Sequence, residues 1–66
     1  MTTQRRYLVK RQLGGRWVYY AGVSAGLGAP RWDVTRSYAW LFRDRWDAES
    51  VAREHNAEVE TIRRRP

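Results

Sequence analysis

The chain has 66 residues, no cysteine, one histidine, nine aromatic side chains and a formal net charge of +6. That length allows one domain with a thin core. The lack of cysteine excludes disulfides and thiolate metal sites, and a zinc site would have to be almost all carboxylate. No apolar run approaches the roughly 18 residues of a membrane span, and no secretory leader pattern is present, so a cytoplasmic protein with no membrane partner is the expectation.

Residues 1–5 and 63–66 are polar or basic and read as flexible tails. The first ordered element predicted is a β-hairpin from Tyr7 to Ala21, with Gly14-Gly15 at its tip, since a two-residue loop of the primed type needs positive φ. With that tip, Leu13 faces Arg16, Arg11 faces Val18, Val9 faces Tyr20 and Tyr7 faces Gly22 on one side of the ribbon. The other side pairs Gln12 with Trp17, Lys10 with Tyr19 and Leu8 with Ala21, because side chains alternate along a strand. The first face, with Val9, Val18 and Tyr20, is the expected core. The second interleaves Lys10 with Trp17 and Tyr19, and is the expected solvent or partner face.

Residues 22–31 hold three of the five glycines and end near Pro30, a composition that predicts a flexible loop rather than a helix or central strand. The loop lacks the Gly-Lys-Ser/Thr ending of a phosphate-binding P-loop. From Trp32 to Ala39 two readings stand: Thr35 caps a single helical turn, or the segment is extended. Trp40 to Arg43 then reads as a short strand pairing with the second strand of the hairpin. In the extended reading Tyr38, Trp40 and Phe42 share a face.

Asp44 is suited to an N-cap, and Asp47 in the first turn suits the helix dipole. Ala48, Val51, Ala52 and His55 fall on one side at helical spacing, with Trp46 pointing away from them. Asn56 is the expected left-handed residue that ends the helix. Ala57 to Ile62 alternates and predicts a last strand, pairing with the first and bringing Glu58 and Glu60 near Lys10. The fold class that follows is α+β: a small antiparallel sheet in the order β-β-β-α-β, with one helix packed on one face.

Several of these short stretches occur together in a known setting. Tyr7-Leu8-Val9-Lys10-Arg11, then Gly15, Trp32, Ala39 and Phe42, then Asp47-Ala48-Glu49 with Val51-Ala52 and a closing Ala57-Glu58-Val59 resemble a type of small protein encoded by bacteriophages and prophages. The resemblance spans Tyr7 to Ile62. It implies a phage or prophage origin, with the protein in the cytoplasm of a bacterial host cell, and no particular activity.

Function is read from charge and aromatic content. Nine Lys/Arg stand against two Asp from Met1 to Trp46, then five acids against one Arg from Asp47 to Ile62, then three arginines. A basic excess favours nucleic acid or an acidic protein surface, although arginine also serves solubility. No serine lies in a nucleophile motif, and His55 in the last helical turn suits the carbonyl ends of the helix, so no catalytic residue, metal ligand or cofactor site is assigned. The expectation is a non-enzymatic binding protein that inhibits or modulates a host protein or nucleoprotein complex, such as a polymerase, a nuclease or a defence system. Its contact residues are Lys10, Arg16, Trp17, Tyr19, Arg31, Trp32, Arg43, Arg45 and Trp46, because tryptophan, tyrosine and arginine dominate interface hot spots. Trp17, Tyr19, Trp32 and Trp46 are the expected exposed anchors, with two or three of the four tryptophans largely buried. The alternative is a nucleic-acid-binding module in which Lys10, Arg16, Arg31, Arg36, Arg43 and Arg45 meet phosphates while Trp17 and Tyr19 stack on bases. A homodimer is a further way for so small a core to gain stability.

Overall fold

The computed structural model of the protein describes residues 4–24, 26 and 28–64. Strands β1 (Gln4–Leu13) and β2 (Arg16–Val23) form the hairpin. Gly14 and Gly15 turn it with φ of 59° and 81°, values that a side chain with a Cβ adopts only under strain. Near the tip the pairing is the one the alternation predicts: Leu13 with Arg16, Gln12 with Trp17, Arg11 with Val18, Lys10 with Tyr19.

Beyond Lys10 and Tyr19 the expected ladder does not continue through Leu8–Ala21 to Tyr7–Gly22. Gly22 has a φ of 98°, and the register of β2 slips between Tyr20 and Val23, a bulge that bends the strand. The segment from Trp40 to Phe42 enters between β1 and β2 at this end. The Trp40 amide donates to the Tyr20 carbonyl (2.8 Å), while Phe42 and Tyr7 exchange both backbone bonds at 2.7 and 2.9 Å.

The third strand is therefore a different one from that expected. Strand β3 is Pro30–Asp33, paired with β2 through Tyr19–Asp33, Tyr20–Trp32 and Val23–Pro30, and the Trp40 to Phe42 segment makes only a bridge. The glycine-rich stretch is a hairpin connection whose flanks, Gly22-Val23 and Pro30-Arg31, belong to strands; the Ser24 amide donates to the Ala29 carbonyl at 2.8 Å to close it. Pro30 is accommodated because β3 is an edge strand, where a missing donor costs no ladder bond. Thr35 precedes a single 3-10 turn, Arg36–Tyr38, and the Asp33 carboxylate accepts from the Thr35 amide at 2.7 Å. The single helical turn is present, but the Thr35 side chain makes no capping hydrogen bond and Trp32-Asp33 are extended; Tyr38 does not continue an extended face with Phe42.

Helix α1 (Arg45–Glu54) begins where its cap predicts: Asp44 Oδ1 accepts from the Trp46 amide at 2.8 Å. Asn56, at a φ of 53°, ends it and turns the chain into strand β4 (Glu58–Arg64). Strand β4 lies antiparallel to β1 over its full length, from Lys10–Glu58 to Gln4–Arg64. Gln4 and Arg5, like Arg63 and Arg64, are thus parts of paired strands rather than tails; the outermost expected tail residues, 1–3 and 65–66, lie outside the described residues. The result is an α+β fold with one antiparallel sheet in the order β3-β2-β1-β4.

α1 covers one face of this sheet. Its small side chains Ala48 and Ala52 allow close approach to Val9 and Tyr20, with Tyr7, Trp32, Phe42, Val51, Ala57 and Val59 packed around them. The Tyr20 ring stacks on Phe42 and meets the edge of Trp32, each at a centroid distance of 5.8 Å. On the opposite face Leu8 is fully buried, beside a groove of about 410 Å³ lined by Arg36, Ala39, Leu41 and Ile62. That face, expected to meet solvent or a partner, is so partly covered by the chain's own connection from the 3-10 turn to Phe42.

Candidate functional site

Lys10, Trp17 and Tyr19 come together on the face away from α1, because the hairpin register places Lys10 directly across from Tyr19 and Gln12 across from Trp17. The Lys10 ammonium lies 4.5 Å from the centre of the Trp17 ring and 2.9 Å from Glu60 Oε1 of β4. Arg36, reaching over from the 3-10 turn, donates to the other oxygen of Glu60. One carboxylate therefore serves two cations, and the ring is held flat against a lysine that is itself fixed. A cation over an indole face contributes on the order of 0.5–2 kcal/mol, more as the pair loses water. Trp17 keeps 37% of its surface exposed, beside an open depression of about 340 Å³ lined by Arg11, Gln12, Asn56, Ala57 and Glu58. An oriented aromatic platform next to a shallow polar hollow is able to receive an apolar side chain of a partner.

The other expected contact residues lie elsewhere. Arg16 is exposed beside the hairpin tip, and Arg31 is exposed on the β3 edge. Arg43, Arg45 and Trp46 stand at the start of α1, where Arg45 is paired with Glu49 one turn on at 2.8 Å and Trp46 is 74% exposed. The nine residues thus spread over the outer face, the hairpin tip, the two faces of β3 and the helix start instead of one patch.

Trp32 is not an exposed anchor. Its pairing with Tyr20 carries it to the helix-covered face, where it also meets the His55 ring edge-on at 5.7 Å. The Arg11 guanidinium lies over Trp32 at 4.2 Å and donates through Nη1 to the His55 carbonyl at 3.4 Å, leaving its Nε–H buried without a hydrogen-bond partner. Arg11 is consequently a structural cation. Its position across from Val18, on the core side of the hairpin, was the sequence signal for that role.

Tyr38 and Trp40 are the exposed aromatics that the sequence did not single out as contacts, at 67% and 55%. Trp40 lies against Gly22, so close that a Cβ there would come within 3.2 Å of its ring. Three of the four tryptophans are exposed and none is fully buried, contrary to the expectation that most would fill the core. The core is built from Leu, Val, Ala and Tyr instead.

Among the described residues no group of three or more His, Asp or Glu is placed to hold a metal ion, and no helix is long and apolar enough to cross a membrane. Comparison with protein-family models, with curated proteins and with solved structures finds no match.

Proposed function

We propose that this protein is a non-enzymatic binding module that docks onto another protein through its exposed tryptophans and modulates it. The observation that carries the reading is the exposure of Trp17, Trp40 and Trp46 in a chain with so little core. Indole rings left in water contribute little to folding, whereas at an interface they supply large, rigid contact area. Trp17 is the central anchor, because Lys10 and Glu60 hold its surroundings in one arrangement before a partner arrives, and preorganisation lowers the cost of binding.

Electrostatics favour a protein over nucleic acid at this face. Lys10 and Arg36, two of the cations expected to meet phosphates there, share Glu60, and Glu58 and Asp33 lie on the same face by register. The resemblance to small phage and prophage proteins agrees with a partner in a bacterial host cell: a polymerase, a nuclease or a defence complex.

Affinity capture from bacterial lysate treated with nuclease tests this. A defined host protein retained by the wild type and lost with Trp17→Ala, while the variant keeps its folded circular dichroism spectrum, is the expected result. Retention of the same proteins by both, or of none, overturns the assignment.

A further inference from the structure

At the end of the sheet away from the hairpin tip, arginines gather on the strands, and the carboxylates of Asp44 and Asp47 belong to the adjoining start of α1. Arg5 of β1 is directly opposite Arg63 of β4, so both side chains project from the same face at the separation of neighbouring strands, about 5 Å. Arg6 is next in β1 and projects from the opposite face, paired with Ile62; its guanidinium donates to the Arg5 carbonyl at 3.0 Å. On the other flank of β1, Phe42 is bridged to Tyr7, which brings Arg43 to this same end. Arg5, Arg43 and Arg63 are exposed, and among the described residues none of these four arginines has an ion-pair partner. Like charges placed face to face across a strand pair are destabilising.

Lys10, Arg36 and Arg45 are each bound by a glutamate, whereas Arg16 and Arg31, like the arginines of this end, have no ion-pair partner among the described residues. The acids of β4 sit toward the tip end, and Asp44, the carboxylate nearest Arg43 in sequence, accepts from the Trp46 amide as the helix cap. α1 starts at this end and finishes beside Arg11, so Trp46, 74% exposed at the second residue of the helix, stands at the arginine end too.

We infer that this end is a binding site for single-stranded nucleic acid, with Arg5, Arg43 and Arg63 on phosphates and Trp46 stacked on a base. Guanidinium groups bind phosphate oxygens through paired N–H donors, and stacking on an exposed indole accepts any base. A backbone of phosphates relieves the repulsion between Arg5 and Arg63 that the strand register imposes. The site shares Trp46 with the proposed protein-docking surface but not Trp17, its central anchor, so either assignment can fail alone.

The test is the binding of fluorescent oligothymidylate to the full chain, followed by anisotropy from about 50 to about 200 mM salt. Three phosphate contacts on a single strand give a slope of log K against log salt of about −2, and Arg5→Gln/Arg63→Gln is expected to reduce its magnitude by about 1.4. Arg16→Gln/Arg31→Gln removes the same charge elsewhere and is expected to leave most of the slope. Trp46→Ala is expected to weaken binding at least fivefold with the slope unchanged, as about 1–3 kcal/mol per stacked base implies. Because the Arg5/Arg63 change removes a repulsion, loss of binding through misfolding is not expected, and circular dichroism checks it; Arg63→Gln alone provides a milder second variant. No binding at the lowest salt overturns the inference, as do equal losses in the two double variants. Equal affinity for a duplex of the same length, or binding to vesicles of anionic lipid but not to the oligonucleotide, overturns it as well.

Discussion

The two faces of the sheet are stabilised by different means. Beneath α1, rings meet rings: Tyr20 contacts Phe42 and Trp32, Trp32 contacts His55, and alanines in the helix bring it close enough to exclude water. On the opposite face the ring of Trp17 meets a charge, Lys10, and that charge is held by Glu60. Burial fixes the first face, and removing a ring there opens a hole that neighbours fill only in part. Ion pairing and a cation over an indole organise the second, where solvent screening limits what each contact contributes. One face holds the helix-covered core, while the other is closed over Leu8 and open around Trp17.

The sharpest way to break this contrast is Tyr20→Ala. A buried aromatic truncated in a core costs about 3–5 kcal/mol, of the order of the whole stability of a domain this small, so the variant is expected to be largely unfolded by circular dichroism at room temperature. Gly22→Ala comes next. It forces a side chain into a left-handed conformation and against the Trp40 ring, and should lower stability by about 1–3 kcal/mol in urea denaturation. Trp17→Ala is the smallest, with a loss of about 1 kcal/mol in the same measurement. Were Trp17→Ala to match Tyr20→Ala, the outer face would be a second core and the division between the faces would fail.

Much of the fold was legible because it is local. The Gly14-Gly15 tip sets the register of the residues next to it, Asp44 and Asn56 mark both ends of α1, and alternation in Glu58 to Ile62 shows a strand whose glutamates reach Lys10. What escaped follows from one bulge. Gly22 bends β2 away, which makes room for Trp40 to Phe42 beside β1 and leaves Pro30–Asp33 to pair at the edge. Glycine and proline there looked like punctuation for a loop, and no period-two pattern fits in four residues.

The candidate site follows the same division. Lys10, Trp17 and Tyr19 were readable from alternation on a correctly registered hairpin. Trp32 escapes the sequence because Pro30–Asp33 is too short to show strand alternation, so nothing local sets it across the sheet from Tyr20. Trp40 was read only as a residue of a paired strand, yet it ends up half in water over a glycine that offers no side chain to cover it.

The pairing of β1 with β4 also dictates an order of events in time. The hairpin closes over two residues and can form within about 1–10 μs, but the outer edge of β1 finds its partner only across more than forty intervening residues, from Lys10 to Glu58. During synthesis, the hairpin emerges first and waits with Leu8 and Val9 uncovered and one row of amides and carbonyls unmatched. The interval before Glu58 and its successors arrive is the period in which this chain is most open to pairing with a strand from another molecule.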